Sequence, residues 1–135
     1  MTIEEIIEAF QMMEDWEERF RLLIELGEAL PVMPESLKTA ENKVSGCVSQ
    51  VWMTIGWSAS QRLLLQADGD AQIVRGLIAV LLALFQGKAA EEIRAIDVKA
   101  VFRQLGLDQH LSPNRRNGFF AMVERLRALA TRADK

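Results

Sequence analysis

The chain of 135 residues is 50% hydrophobic and 26% charged, which supplies one core, leaves too little length for two at roughly 150 residues per domain, and excludes a disordered chain. A net charge of −3 argues against a surface that neutralises many phosphates, so nucleic acid is not an expected partner. One cysteine, Cys47, and one histidine, His110, exclude an intramolecular disulfide and any site built from Cys and His ligands alone.

The opening MTIEEIIEAF is acidic where a secretory signal is basic, and no cleavage site follows. The longest apolar run, Gly76 to Phe85, has ten residues, about half of the ~20 that a membrane helix needs. A cytoplasmic protein is the expectation, and no membrane is expected as a partner. In that compartment a thiol stays free to react.

Thr2 with Glu5 forms a capping box, and Ile3, Ile6, Ile7, Phe10 and Met13 recur at helical spacing. Asp15 with Glu18 repeats the signal, so a second helix carries Phe20, Leu23, Ile24 and Leu30 to an end near Pro31. Pro31 to Lys43 reads as a loop that delivers the chain to Cys47. From Val48 the period becomes two: Val51, Met53, Ile55 and Trp57 share one face, with Gln50, Trp52 and Thr54 on the other. Ser58 to Gln61 is a turn, and Leu63, Leu65 and Ala67 alternate in the returning strand of an antiparallel hairpin. Lys43 to Gly46 extends this to a small three-stranded sheet.

Asp68, Gly69 and Asp70 are expected to close that strand and cap a helix from Ala71, apolar on most of its circumference and ended by Gly87. Short helices follow at Ala90 to Ala95 and Val98 to Leu105, the latter stopped by Gly106. Ser112 and Pro113 open a final helix whose face carries Phe119, Met122, Val123, Leu126 and Leu129. The expected fold is α+β, one domain over residues 1–135, with helices mainly on one face of the sheet.

Cys47 follows a glycine at the entrance to a strand, where a loop can hold a side chain away from the body. A buried thiol acting as a small hydrophobe is the commoner case, and the Gly-Cys context narrows that difference. A reactive Cys47 would need a positive field to lower its pKa from about 8.5. Arg115 and Arg116, in the first turn of the last helix, and His110 just before it are the candidate sources. Trp52, opposite the apolar set, is either a partner-facing aromatic or buried under the loop. Asp70 could meet a partner's basic patch, although its reading as a helix cap is the stronger one. Phosphate loops, HExxH pairs and nucleophile elbows are absent.

The run Gly46-Cys47-Val48-Ser49-Gln50-Val51-Trp52 resembles the GCxSxVW motif of the SufE family of cysteine desulfuration proteins. Four further stretches accompany it in the family's order. They are Trp16 to Phe20, Leu26-Gly27 with Leu30-Pro31, Ile73 to Ala79, and His110 to Pro113 leading into Arg115-Arg116-Asn117-Gly118. The resemblance implies a SufE/IscU-like fold and a partner of a PLP-dependent cysteine desulfurase of the SufS or CsdA type. Cys47 would accept persulfide sulfur and pass it toward iron-sulfur cluster assembly on a SufBCD-type scaffold. It implies that PLP belongs to the partner, that this chain binds no cofactor or metal, and that Arg115 stabilises the thiolate. Gly46, Ser49, Trp52, Asp70 and His110 would meet the partner, and a homodimer is compatible. One cysteine does not supply the ligand set of a cluster. Two other readings stay open: a cysteine-histidine hydrolase or transferase using Cys47 and His110, and a non-catalytic adaptor binding through Trp52.

Overall fold

Thr2 caps the first helix in both directions. Its hydroxyl accepts the Glu5 N–H at 3.1 Å, and its own N–H donates to the Glu5 carboxylate at 2.9 Å, which satisfies two backbone donors that a helix start otherwise leaves unmade. The computed structural model describes residues 1–46 and 49–133. Helix α1 (Ile3–Met12) buries Ile6 and Phe10. The Asp15 side chain then accepts the Glu17 N–H at 3.0 Å and starts α2 (Trp16–Glu28). A single 3-10 turn (Glu35–Leu37) precedes the hairpin of β1 (Val51–Trp57) and β2 (Leu63–Gly69). Helices α3 (Gln72–Phe85), α4 (Ala90–Ala95), α5 (Val98–Gln104), α6 (Leu107–His110) and α7 (Pro113–Ala133) complete the order.

The architecture is α+β, but among the described residues the sheet has two strands, not the expected three. Lys43 makes one isolated antiparallel bridge to Trp52, with Val44 N–H to Val51 O and Met53 N–H to Asn42 O, both at 2.8 Å. Residues just before it are coiled: Asn42 N–H donates to Thr39 O and Lys43 N–H to Ala40 O, and the Asn42 side chain holds Leu37 O at 2.7 Å. After it, Ser45 and Gly46 turn, with Gly46 at φ +87°, so turns on both sides confine the expected Lys43 to Gly46 strand to a single bridge.

Val51 opposite Gly69 through Trp57 opposite Leu63 sets the hairpin register. That register puts Val51, Met53, Leu63, Leu65 and Ala67 on one buried face. The other face carries Trp52, Thr54, Leu64 and Gln66, and Leu64 stays 54% exposed. Helices cover the first face: α3 packs on β2 and α7 on β1. Along the outer edge of β2 the Gln86 side chain replaces a strand, accepting from Leu65 N–H at 2.7 Å and donating to Leu65 O at 2.9 Å. Two otherwise open edge groups are thereby satisfied.

Helix α3 is the centre of the core, with Ile78, Leu81 and Phe85 fully buried, each contributing about 1.5–3 kcal/mol of apolar transfer. It meets α2 at two glycines. A Cβ on Gly27 would lie 2.7 Å from Gly76 N, and one on Gly76 would overlap the Leu23 carbonyl oxygen, so backbone touches backbone at this crossing. The helix does not begin as expected. Strand β2 runs through Gly69, and the N-cap of α3 is Ala71, with no side-chain cap bond. Asp70 is used elsewhere.

Candidate functional site

Cys47 and Val48 lie outside the described residues, so the site is defined by the groups on either side of them. Gly46 adopts φ +87°, a left-handed conformation that suits glycine, and a Cβ there would sit 3.3 Å from the Ala121 side chain of α7. Any larger residue would therefore strain both the backbone and its contact with the helix. On the other side, Ser49 Oγ accepts a 2.6 Å hydrogen bond from Arg115 Nη1. Gln50 is held to Asp70 twice, Asp70 N–H donating to Gln50 O and Gln50 N–H donating to Asp70 Oδ1, both at 3.1 Å.

Those contacts explain Asp70. The carboxylate expected to cap α3 instead serves a backbone donor twenty positions earlier, extending the hairpin ladder one step toward Cys47. Sequence patterns carry no signal for so distant a partner. Among the described residues its role is to hold the root of the loop, although the side chain is exposed enough to meet a partner as well.

Arg115 and Arg116 separate clearly. Ser112 Oγ caps the Arg115 N–H at 3.3 Å, which starts α7 there and points its positive end at this region. Arg115 then reaches the loop at Ser49, whereas Arg116 Nη1 turns back to Asp108 O at 3.0 Å. Between Ser49, Arg115 and the core lies a cavity of about 20 Å³, floored by Val51, Val74, Leu77, Phe119 and Met122. It holds one water-sized group, and its apolar floor with a cationic rim would suit a single soft, negatively charged atom.

Trp52 is half-buried, neither free nor hidden. Lys38 Nζ stands 5.5 Å over its ring and also pairs with Glu35 at 2.9 Å and Asp68 at 3.2 Å. Hydrogen bonds to Glu35 and then Asp68 hold that ammonium above its ordinary value of 10.5, so one face of the indole is covered by a permanent cation. His110 belongs to another cluster. Its ring stacks on Trp16 at 4.2 Å and 18°, while Arg19 lies over Trp16 and Phe10 at 5.8 Å. Among the described residues no hydrogen bond joins His110 to Ser49 or Arg115.

Among the described residues no group of three His, Cys, Asp or Glu side chains could hold a metal ion, and no helix is long and apolar enough to cross a membrane. The sequence matches the SufE family, described as an Fe-S metabolism associated domain, over residues 4–130. It is 45% identical over 132 residues to an uncharacterized SufE-like protein of Rhizobium meliloti, covering 96% of this chain and 94% of that one. A SufE-like relative in Rhizobium etli, also described as uncharacterized, is 46% identical over 129 residues, covering 93% and 87%. In shape the chain is similar to the solution structure of a hypothetical protein from Thermus thermophilus, with a TM-score of 0.79 over 98% of both chains at 20% identity.

Proposed function

Because the chain belongs to the SufE family, whose domain is associated with Fe-S metabolism, we propose that it is the cytoplasmic sulfur acceptor and activator of a PLP-dependent cysteine desulfurase. The observation that carries the proposal is the Arg115–Ser49 contact of 2.6 Å, a cation anchored two residues from Cys47 in an intact Gly46 to Trp52 motif. A thiol that must act as a nucleophile near neutral pH needs such a charge to raise its thiolate fraction. The start of α7 adds its dipole in the same direction.

In the proposed step the Cys47 thiolate attacks the outer sulfur of the desulfurase persulfide. A new S–S bond forms to Cys47, the donor's S–S bond breaks, and the donor cysteine leaves as a thiolate. The persulfide proton stays with the transferred sulfur or passes to solvent, and no oxidant or reductant is consumed. Arg115 stabilises the anion before and after transfer, and the small apolar cavity shelters the extra sulfur from bulk thiols. PLP belongs to the partner. Gly46 and Trp52 form the surface the desulfurase meets, with Asp70 at its edge, and a SufBCD-type scaffold receives the sulfur.

The test is direct. Mixed with a PLP-dependent cysteine desulfurase and free cysteine, the wild-type chain is expected to gain a one-sulfur mass increment that dithiothreitol removes, and Cys47→Ser is expected to gain none. An unchanged intact mass for the wild-type chain during desulfurase turnover overturns the proposal.

A further inference from the structure

Helix α7 holds the chain before Cys47 as well as after it. Arg125 donates from Nη2 to Glu41 O at 2.7 Å and from Nη1 to Lys43 O at 3.3 Å, and its Nε is buried. These acceptors are the right ones for a clamp. Along residues 41–44 the backbone alternates, with Asn42 O and Val44 N–H turned to β1 and the carbonyls of Glu41 and Lys43 turned to the arginine. The incoming arm is thus fixed on both edges, by a strand on one side and a guanidinium fork on the other. Arg115 and Arg125 are ten residues apart, roughly 15 Å along the helix axis, and at spacings i, i+3, i+7 and i+10 they share a stripe with Gly118 and Met122. A Cβ on Gly46 would meet the Ala121 side chain beside the same stripe.

Resting on the sulfur-acceptor reading, we propose that Arg125 is a positioning residue for sulfur transfer: it holds the arm that leads into Cys47 in register with Arg115, which holds the arm that leads out. Arg125 touches no reacting atom. It acts by setting the two arms of the loop against one rigid helix, so that a docking partner meets the thiol in one orientation. Motif reading does not find it, because its acceptors are backbone carbonyls more than eighty residues away.

Arg125→Met keeps the apolar stem and removes the donors. The amide hydrogens of Val44 and Met53, which close the bridge next to the fork, are expected to exchange about fivefold faster. Alkylation of Cys47 by iodoacetamide is expected to rise about threefold as the arm at residues 41–44 is released more often. With a cysteine desulfurase, the apparent KM for this acceptor is expected to rise severalfold at unchanged kcat, and Arg125→Lys, which can reach one carbonyl, falls between the two. Wild-type exchange and alkylation in Arg125→Met overturn the proposal, as does a fall in kcat at unchanged KM. Exchange and alkylation are measured without any desulfurase, so their failure is distinct from failure of the wild-type chain to take up sulfur.

Discussion

Replacing Gly76 with alanine sets two effects of opposite sign against each other, and the structure says which wins. In an exposed helix the change would stabilise by up to about 1 kcal/mol. At this crossing the new methyl would overlap the Leu23 carbonyl oxygen and lie 2.8 Å from the carbonyl carbon. Those are atoms of a helix backbone, not the end of a side chain that can swing aside. Relief requires α2 and α3 to separate, which loosens the packing of the fully buried Leu23 and Leu77. Overpacking of this kind costs about 1–3 kcal/mol and occasionally more, and a backbone clash belongs at the upper end. The net expectation is a loss of about 2 kcal/mol, which at a urea m-value of about 2 kcal/mol/M lowers the midpoint by about 1 M. Gly56 is the control, since a Cβ there meets nothing within 4 Å, and Gly56→Ala should leave the midpoint unchanged or slightly raised. Equilibrium urea unfolding followed by tryptophan fluorescence measures both. A Gly76→Ala midpoint at or above wild type, with m unchanged, would refute the reasoning.

The two arginines at the start of α7 should behave differently: Arg115→Met is expected to slow alkylation of Cys47 at pH 7, because loss of one partly exposed charge worth about 1 kcal/mol, about fivefold in thiolate, outweighs the roughly threefold gain from releasing the outgoing arm. Arg116→Met, turned toward Asp108, should leave the rate at the wild-type value, and equal slowing by both would sink the assignment. At low pH, stability should decline through two helix-capping carboxylates. Glu5 is held below its ordinary 4.5 by the Thr2 N–H first and the Thr2 hydroxyl second, and Glu92 by the Ala89 N–H first, with the charge of Arg62 assisting. Carboxylates depressed in the folded state contribute stability that is present above the unfolded value and lost as pH falls through the lower folded one. The Tm of a Glu5→Gln, Glu92→Gln double variant is therefore expected to fall less steeply than wild type from about pH 5 to 3, and an identical slope contradicts the capping account.

What a sequence can say depends on how far apart the partners are. Thr2 with Glu5, Asp15 with Glu17, and Ser112 with Arg115 are local pairs, and each cap forms where the residue types place it. Leu63, Leu65 and Ala67 alternate because a half-buried strand has period two, and all three are buried. Asp70 has the residue type and position of another local cap, yet its carboxylate is taken by Gln50. The third strand is cut short by turns on both sides of its single bridge, through Asn42 and Lys43 before it and through Ser45 and Gly46 after it. Helix α6 has only four residues, too few to show a period. His110 stacking on Trp16, the Gly27–Gly76 crossing and the Arg125 fork depend on chain segments meeting in space, and no window of sequence contains both halves of any of them. The motif around Cys47 was legible as a string; the grip that α7 has on both its arms was not.

The hydrogen bond from Val44 to Val51 also limits distance. Both residues are buried, so the chain between them is a leash of seven links tied to the body at both ends, with Cys47 near its middle. Stretched fully, three links at roughly 3.3–3.6 Å each reach about 10 Å. On the proposed sulfur-acceptor reading, unless the leash is untied at Val44 a donor's sulfur must come within that radius, so its pocket can be no deeper than the tether is long.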